Sequence, residues 1–167
     1  NDPLYHGTAP FSEPETQAMK AYYEAHPNIV ASIDFHAYSQ LVLYPYAYQF
    51  AGPGDEGQHA ALGKEMVDGI RDVHGLTYVD GPVADTLYQA SGGSVDWSWD
   101  ARGAISYTIE LRPASSSPGF LIPPDQILPC AEENLPAALI MADAAATGAI
   151  FGFPNDRPTT IVPSAVS

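Results

Sequence analysis

An almost uninterrupted apolar segment at residues 104–111 places the strongest constraint on how this chain can fold. Such a segment is typical of a strand that is buried on both faces, as in sheets with parallel neighbours and helices on either side. Glu110 interrupts it, and a carboxylate inside an apolar strand costs free energy unless it is paired or functional. The segment therefore predicts a buried strand and marks Glu110 as a candidate site residue.

Strand-like and helix-like patterns alternate along the rest of the chain. Alternation or short β-rich runs predict strands at 29–35, 41–44 and 77–79, and helical spacing predicts helices at 13–26, 59–74, 94–101 and 125–150. Residues 81–93 are predicted to form an irregular loop, and no internal repeat is visible. The alternation predicts an α/β fold with a mixed, partly parallel sheet flanked by helices. It also divides the chain into a domain at 1–152 and a Pro/Thr/Ser-rich tail or linker at 153–167.

The charge of the chain excludes some classes of partner. The 20 acidic and 6 basic residues give a formal charge of −14, which repels phosphate backbones and anionic lipid heads, so neither nucleic acid nor a membrane is expected as a partner. The single cysteine, Cys130, excludes an internal disulfide and a thiolate-rich metal site, and its context predicts a small buried apolar residue. Because the chain begins at Asn1 in a loop-like stretch, we expect a fragment or a processed chain.

Three segments carry candidate site residues. His36 follows a predicted strand, where ligand crevices form in open α/β sheets, and is a metal ligand, a base or a hydrogen-bonded core histidine. Tyr88 lies in a glycine-flanked loop and either covers a ligand or is an ordinary half-exposed tyrosine. Glu110 is either functional or paired, with the backbone or with Arg112, which alternation places on the same face.

Several familiar catalytic motifs are absent from the sequence. It contains no HExxH motif, no glycine-rich phosphate loop and no GxSxG nucleophile elbow. The remaining histidines lack the spacing of a helical zinc pair and are expected on the surface: His6, His26, His59 and His74.

Taken in order, the segments resemble the carboxypeptidase A family of zinc metallocarboxypeptidases. The resemblance covers about residues 4 to 150 and rests on YHG at 5–7 with PFSEPE at 10–15, FHAYSQL at 35–41, YQASGGSVDW at 88–97 and YTIELR at 107–112. It implies that residues 1–152 are the C-terminal half of a catalytic domain with a phosphorylase/hydrolase-like fold.

The resemblance assigns a role to each matching residue. His36 would bind Zn2+, and Glu110 would act as general acid and base on a metal-bound water. Tyr88 would close over the substrate and contact its terminal carboxylate, and Tyr38 would line the subsite for the penultimate residue. Ala37 stands where the family often has Ser or Thr, so a hydroxyl contact is lost there.

The resemblance also implies a specificity pocket. Val95 stands where the branch of the family that cleaves after basic residues has an acid, and Val83, Ala90 and Thr108 would form neighbouring walls. An apolar floor desolvates a Lys or Arg head without a partner. We therefore expect a preference for apolar or aromatic C-terminal residues, on peptides or protein C-termini.

One part of the family's metal site is missing from the sequence. The family supplies two zinc ligands from a His-x-x-Glu motif in its N-terminal half, and no histidine here has Glu at the third position after it. A catalytic zinc needs about three protein ligands and a water. The expectation is a secreted parent enzyme whose zinc site is incomplete in this chain, so that the chain alone is inactive and, without its N-terminal partner half, self-associates through an exposed sheet edge.

Two other functions stay open at this stage. One is a deacylase or amidohydrolase on the same scaffold, acting on non-peptide amides. The other is a non-catalytic, peptide-binding pseudo-peptidase module, against which the retained Glu110 argues because an unneeded buried carboxylate costs stability.

Overall fold

A computed structural model of the protein describes residues 7–54 and 56–148. Within these ranges the helices are α1 (Pro14–Ala25), α2 (Glu56–His74), α3 (Val83–Thr86), α4 (Ser94–Arg102) and α5 (Ile127–Thr147), and the strands are β1 (Ala31–Ala37), β2 (Leu41–Tyr44), β3 (Val79–Pro82) and β4 (Ile105–Leu111). A short 3-10 turn, Pro124–Gln126, leads into α5. None of the described helices is long and apolar enough to cross a membrane.

The strands form one mixed sheet. Its order in the described part of the chain is β1-β4-β2-β3, with β4 parallel to β1 and antiparallel to β2, and with β2 parallel to β3. Because β4 lies inside the sheet and is covered on both faces, it needs the apolar sequence that it has. The predicted α/β fold with a mixed, partly parallel sheet is confirmed.

The hydrophobic core lies between the sheet and the helices α2 and α5. Side chains alternate along a strand, so Ile105, Tyr107 and Ile109 of β4 all point to this side and are at most 1% exposed. Helical spacing in α2 brings its apolar residues onto the same layer: Leu62, Met66, Val67 and Ile70. α5 adds Ala137, Met141 and Ala144.

The opposite face of the sheet carries the polar residues of β4. Ser106, Thr108 and Glu110 alternate with the core residues, and Ser106 Oγ donates a hydrogen bond to the carbonyl oxygen of Val95 at 2.5 Å. This bond fixes α4 on the Glu110 side of β4. The side chain of Ser94, also in α4, donates to the Asp34 carboxylate of β1.

Some element bounds differ from those that the sequence predicts. The strand expected at 77–79 lies at Val79–Pro82, and residues 83–86 of the expected loop form α3, which is too short to show helical periodicity. α2 begins at Glu56, before the predicted start at His59. Gly57 has low helix propensity, which hides the first turn in the sequence but does not prevent it from forming. Pro136 lies inside α5 without ending it. The predicted tail at 153–167 lies outside the described residues.

The surface prediction for one histidine is wrong. His59, expected on the surface, is fully buried, with its ring 4.7 Å from that of Trp99 and 5.6 Å from that of Tyr44. It is the first predicted residue of α2 and faces the core, which a single polar residue in a helical pattern does not reveal. Cys130 is buried as predicted, and His6 lies outside the described residues.

Candidate active site

His36 and Glu110 lie side by side on neighbouring parallel strands. The register of β1 and β4 pairs them directly, and His36 Nδ1 lies 3.9 Å from Glu110 Oε1. Both residues are at the carboxyl ends of their strands, where ligand crevices form in open α/β sheets. The strand pairing thus brings together two residues that are far apart in the sequence.

The charge of the buried Glu110 carboxylate is only partly compensated by its surroundings. It is 8% exposed, and its Oε2 atom is buried with no hydrogen-bond partner among the described residues. Burial raises the pKa of Glu110 above its usual value, and positive charge on His36 offsets part of that rise. A carboxyl group that holds a proton more readily than usual is suited to proton transfer near neutral pH.

The structural alternative for Glu110, an ion pair with Arg112, is wrong. The Arg112 guanidinium binds Glu133 of α5, with Nε 2.9 Å from Oε1, and its Nη1 atom donates to Gln126 Oε1 at 2.7 Å. β4 ends at Leu111, so the alternation that would place Arg112 beside Glu110 does not continue. Glu133 also accepts a hydrogen bond from the Tyr78 hydroxyl at 2.8 Å and is fully buried.

The residues predicted to form the specificity pocket lie close together. Val83 and Val95 are buried in one apolar cluster with Leu43 and Ala47, and Ala90 packs against it. Thr108 is paired with Leu43 across the antiparallel ladder of β2 and β4, so the two side chains share the Glu110 face of the sheet. The structure thus groups these positions, and their roles toward substrate stay predictions.

The two predicted tyrosines lie in different surroundings. The Tyr88 side chain is 62% exposed, between α3 and α4. Tyr38, two residues after His36, packs edge-on against Phe120, with ring centroids 4.9 Å apart. Tyr88 is therefore largely exposed, whereas Tyr38 packs against the 118–120 loop. Neither arrangement tests their predicted substrate contacts.

Asp96 is a buried carboxylate that the predicted site omits. It is 6% exposed, and it accepts hydrogen bonds from the Ala47 amide at 2.9 and 3.1 Å and from the Tyr48 amide at 3.2 Å. Burial raises the pKa of Asp96 to about 6, although these backbone bonds act in the opposite direction. An acid between Val95 and Trp97, in the first turn of a helix, was the available signal in the sequence.

The described residues supply only part of a metal site. They contain no group of three or more His, Cys, Asp or Glu side chains that could hold a metal ion. The His36 side chain is 56% exposed and its imidazole can serve as one ligand. A zinc ion at this position would need further ligands from outside the described residues.

The fold is that of the solved carboxypeptidase structures. Bovine thrombin-activatable fibrinolysis inhibitor, solved in complex with tick carboxypeptidase inhibitor, matches with a TM-score of 0.81 and 33% identity, over 86% of this chain and 49% of that one. Carboxypeptidase A from Helicoverpa armigera matches with a TM-score of 0.78 and 33% identity, over 87% of this chain and 37% of that one.

The sequence comparisons give the family. Carboxypeptidase A2 of Mus musculus is 40% identical over 130 residues, and carboxypeptidase A1 of Rattus norvegicus is 40% identical over 139 residues; these cover 78% and 83% of this chain. The chain spans about a third of each relative, 31% and 33%. Residues 1–137 match the zinc carboxypeptidase family, and the chain belongs to that family.

Two substitutions of buried glutamates should change stability in opposite directions. Because burial raises the pKa of Glu110, its protonated form favours the folded state at low pH, and this contribution is lost as pH rises through the raised pKa. At neutral pH the ionised carboxylate costs stability, so Glu110→Gln should raise the free energy of unfolding by about 1 kcal/mol. Glu133→Gln should lower it by about 3 kcal/mol, since it leaves the Arg112 charge without its partner. Urea unfolding at pH 7 measures both. A loss of stability in Glu110→Gln equal to that in Glu133→Gln would contradict the assignment of Glu110 as an uncompensated acid.

Proposed function

We propose that the protein is a zinc-dependent metallocarboxypeptidase that hydrolyses the C-terminal peptide bond, with His36 as one zinc ligand and Glu110 as the proton-transfer residue. The observation that carries the proposal is the pairing of a half-exposed imidazole with a buried carboxylate whose Oε2 has no partner in the described part of the chain. Membership of the zinc carboxypeptidase family supports the choice of metal.

In this proposal each residue has a separate task. Zinc held in part by His36 would supply a water of lowered pKa and would polarise the scissile carbonyl. Glu110 would take the proton that the attacking water loses and later give it to the leaving amine, a cycle that its raised pKa favours. Tyr88, which is exposed, closes over the substrate's terminal carboxylate, and Tyr38 lines the subsite for the penultimate residue.

The apolar cluster supports a preference for apolar or aromatic C-terminal residues. Val83 and Val95 are each at most 7% exposed and provide no group that could pair with a Lys or Arg head. A cation that entered such a pocket would lose its hydration without compensation. An aromatic or aliphatic side chain would instead gain by leaving water.

Substrate preference should follow this chemistry. For the complete zinc-loaded enzyme that contains this chain, kcat/KM for hippuryl-type peptides ending in Phe or Leu should be about 100-fold higher than for peptides ending in Lys or Arg. Val95→Asp should narrow that ratio, because it places a carboxylate in the pocket, and Val95→Ala controls for loss of packing. Faster cleavage of Lys or Arg peptides by the unchanged enzyme would refute the preference. Faster cleavage of N-acyl amino acids than of peptides would favour an amidohydrolase.

The chain by itself is proposed to lack a tight zinc site and therefore activity. The described residues provide one predicted ligand, His36, whereas about three are needed. This observation also keeps a non-catalytic peptide-binding module as a second candidate. Peptide binding without turnover, after the family's remaining ligands and zinc are supplied, would establish that module.

Isothermal titration calorimetry of residues 1–167 with zinc should show only weak binding. A single imidazole without the other zinc ligands coordinates an ion only weakly, so we expect no saturation at a one-to-one ratio at micromolar zinc concentrations. The His36→Ala variant is the matched control and should titrate almost identically. A tight one-to-one site that His36→Ala removes would contradict the proposal that the site is incomplete.

An apolar groove beside β1 is proposed to receive the remainder of the family domain. The groove has a volume of about 480 Å³ and is lined by residues that include Phe35, Ile127 and Leu135. These side chains are 51%, 61% and 57% exposed, which is unusual for large apolar residues in one groove. The 49% coverage of the fibrinolysis inhibitor chain supports an occupant from the rest of the domain.

Secretion of the whole protein is also proposed, as part of the proposed peptidase function.

Without that occupant the chain should self-associate. β1 is an edge strand in the described sheet and lies next to the groove. The unpaired strand edge and the apolar groove are both surfaces to which a second copy of the chain can bind. Sedimentation velocity of residues 1–167 should show dimers or larger species, and Leu135→Lys should shift them toward monomer. Val73→Lys, at an exposed apolar position of α2 outside the groove, is the control and should leave the distribution unchanged. A monodisperse monomer at high concentration would count against this surface.

A further inference from the structure

Segment 46–48, which follows β2 in the chain, forms hydrogen bonds both with α4 and with the loop that carries Tyr88. On the α4 side its amide groups, those of Ala47 and Tyr48, donate to the buried carboxylate of Asp96. On the other side its carbonyl groups accept from the amides of Ala84 at 2.9 Å and Ala90 at 2.8 Å. The carbonyl of Tyr48 also accepts from the Gln89 side chain at 2.6 Å.

The same segment forms part of the apolar cluster. Ala47 is 3% exposed and packs with Val83 and Val95. A displacement of Ala47 would therefore move the pocket wall and, through the bond from the Ala90 amide, the residues next to Tyr88. Both carboxylate oxygens of Asp96 accept from backbone amides, an arrangement that fixes the position of the segment relative to α4.

We propose that Asp96 is a positioning residue for substrate recognition: its carboxylate fixes segment 46–48, which in turn holds the wall of the C-terminal side-chain pocket and the Tyr88 loop. Asp96 acts through these segments and is not proposed to touch substrate. The inference rests on the proposed function, since it concerns the same pocket.

The cost of burying Asp96 supports this role. Its raised pKa shows that burial of the charge costs more than the amide bonds return, and the nearby Asp100 acts in the same direction. A residue that costs stability and nevertheless holds a loop beside a pocket is typical of functional sites. Asp100 itself is exposed and accepts a bond from the Tyr46 hydroxyl at 2.7 Å, so it does not hold the backbone of the segment.

The test compares Asp96→Asn with Asp100→Asn in the complete enzyme that contains this chain. Both remove one negative charge from α4, but only Asp96→Asn replaces an acceptor of the amide bonds with a donor. In Asp96→Asn, hydrogen–deuterium exchange at the amides of Ala47, Tyr48 and Ala90 should accelerate by about 10-fold, as expected for the loss of one hydrogen bond to a charged group. KM for a peptide ending in Phe should rise by a similar factor, with kcat changed less. Asp100→Asn should change neither.

A second variant removes dependence on how well Asp96→Asn folds. Gln89→Ala cuts the exposed bond to the Tyr48 carbonyl, does not disturb the core, and should raise KM in the same direction. The proposal is overturned by unchanged exchange at these amides in Asp96→Asn, by equal effects in Asp100→Asn, or by an unchanged KM in Gln89→Ala. Exchange is measured without zinc or substrate, so absent peptidase activity in every variant would count against the proposed function and leave the exchange result to decide the role of Asp96.

Discussion

The parallel pairing of β1 with β4 is the constraint on which the candidate site depends. It places His36 opposite Glu110, although 73 residues separate them in the chain, and it buries the glutamate while its partner stays half exposed. A slip of one residue in this register would turn one of the two side chains to the opposite face of the sheet. The apolar residues that β4 packs against α2 and α5 prevent such a slip, so the hydrophobic core determines the geometry of the site.

The two faces of the sheet hold buried acids in different ways. On the α5 side, Glu133 is compensated by Arg112 and Tyr78. On the other side, Glu110 and Asp96 both have raised pKa values because burial is not fully offset. A fully compensated acid contributes to a defined fold, whereas an acid with a raised pKa keeps the capacity to bind a proton. The proposed catalytic and positioning groups therefore both lie on the side of the sheet where burial of acids is only partly offset.

The sequence predicts the fold well where a pattern repeats and poorly where a single contact decides. Continuous apolar character is sufficient to locate β4, and 3.6-residue spacing locates α2 and α5. By contrast, alternation wrongly pairs Glu110 with Arg112, because the strand ends one residue earlier and α5 supplies a nearer acid. His59 and Asp96 are buried polar residues whose partners come from distant segments. The local sequence offers only a weak signal for Asp96, its place in the first turn of α4, and none for His59. The grouping of Val83, Ala90 and Val95 was available only through the resemblance, which already contains the three-dimensional arrangement.

Segment 46–48 shows how the site and the fold are connected. β2 pairs with β4 inside the sheet, and the chain leaves β2 directly into this segment. Its position is therefore fixed at one end by the same strand that carries Glu110 and at the other by the Asp96 carboxylate. The proposed pocket wall and the proposed proton-transfer residue thus share one reference, β4, while the side chain of Tyr88 is exposed between α3 and α4. The proposed peptidase activity would require such a reference, because reacting groups must be held in place while substrate enters and product leaves.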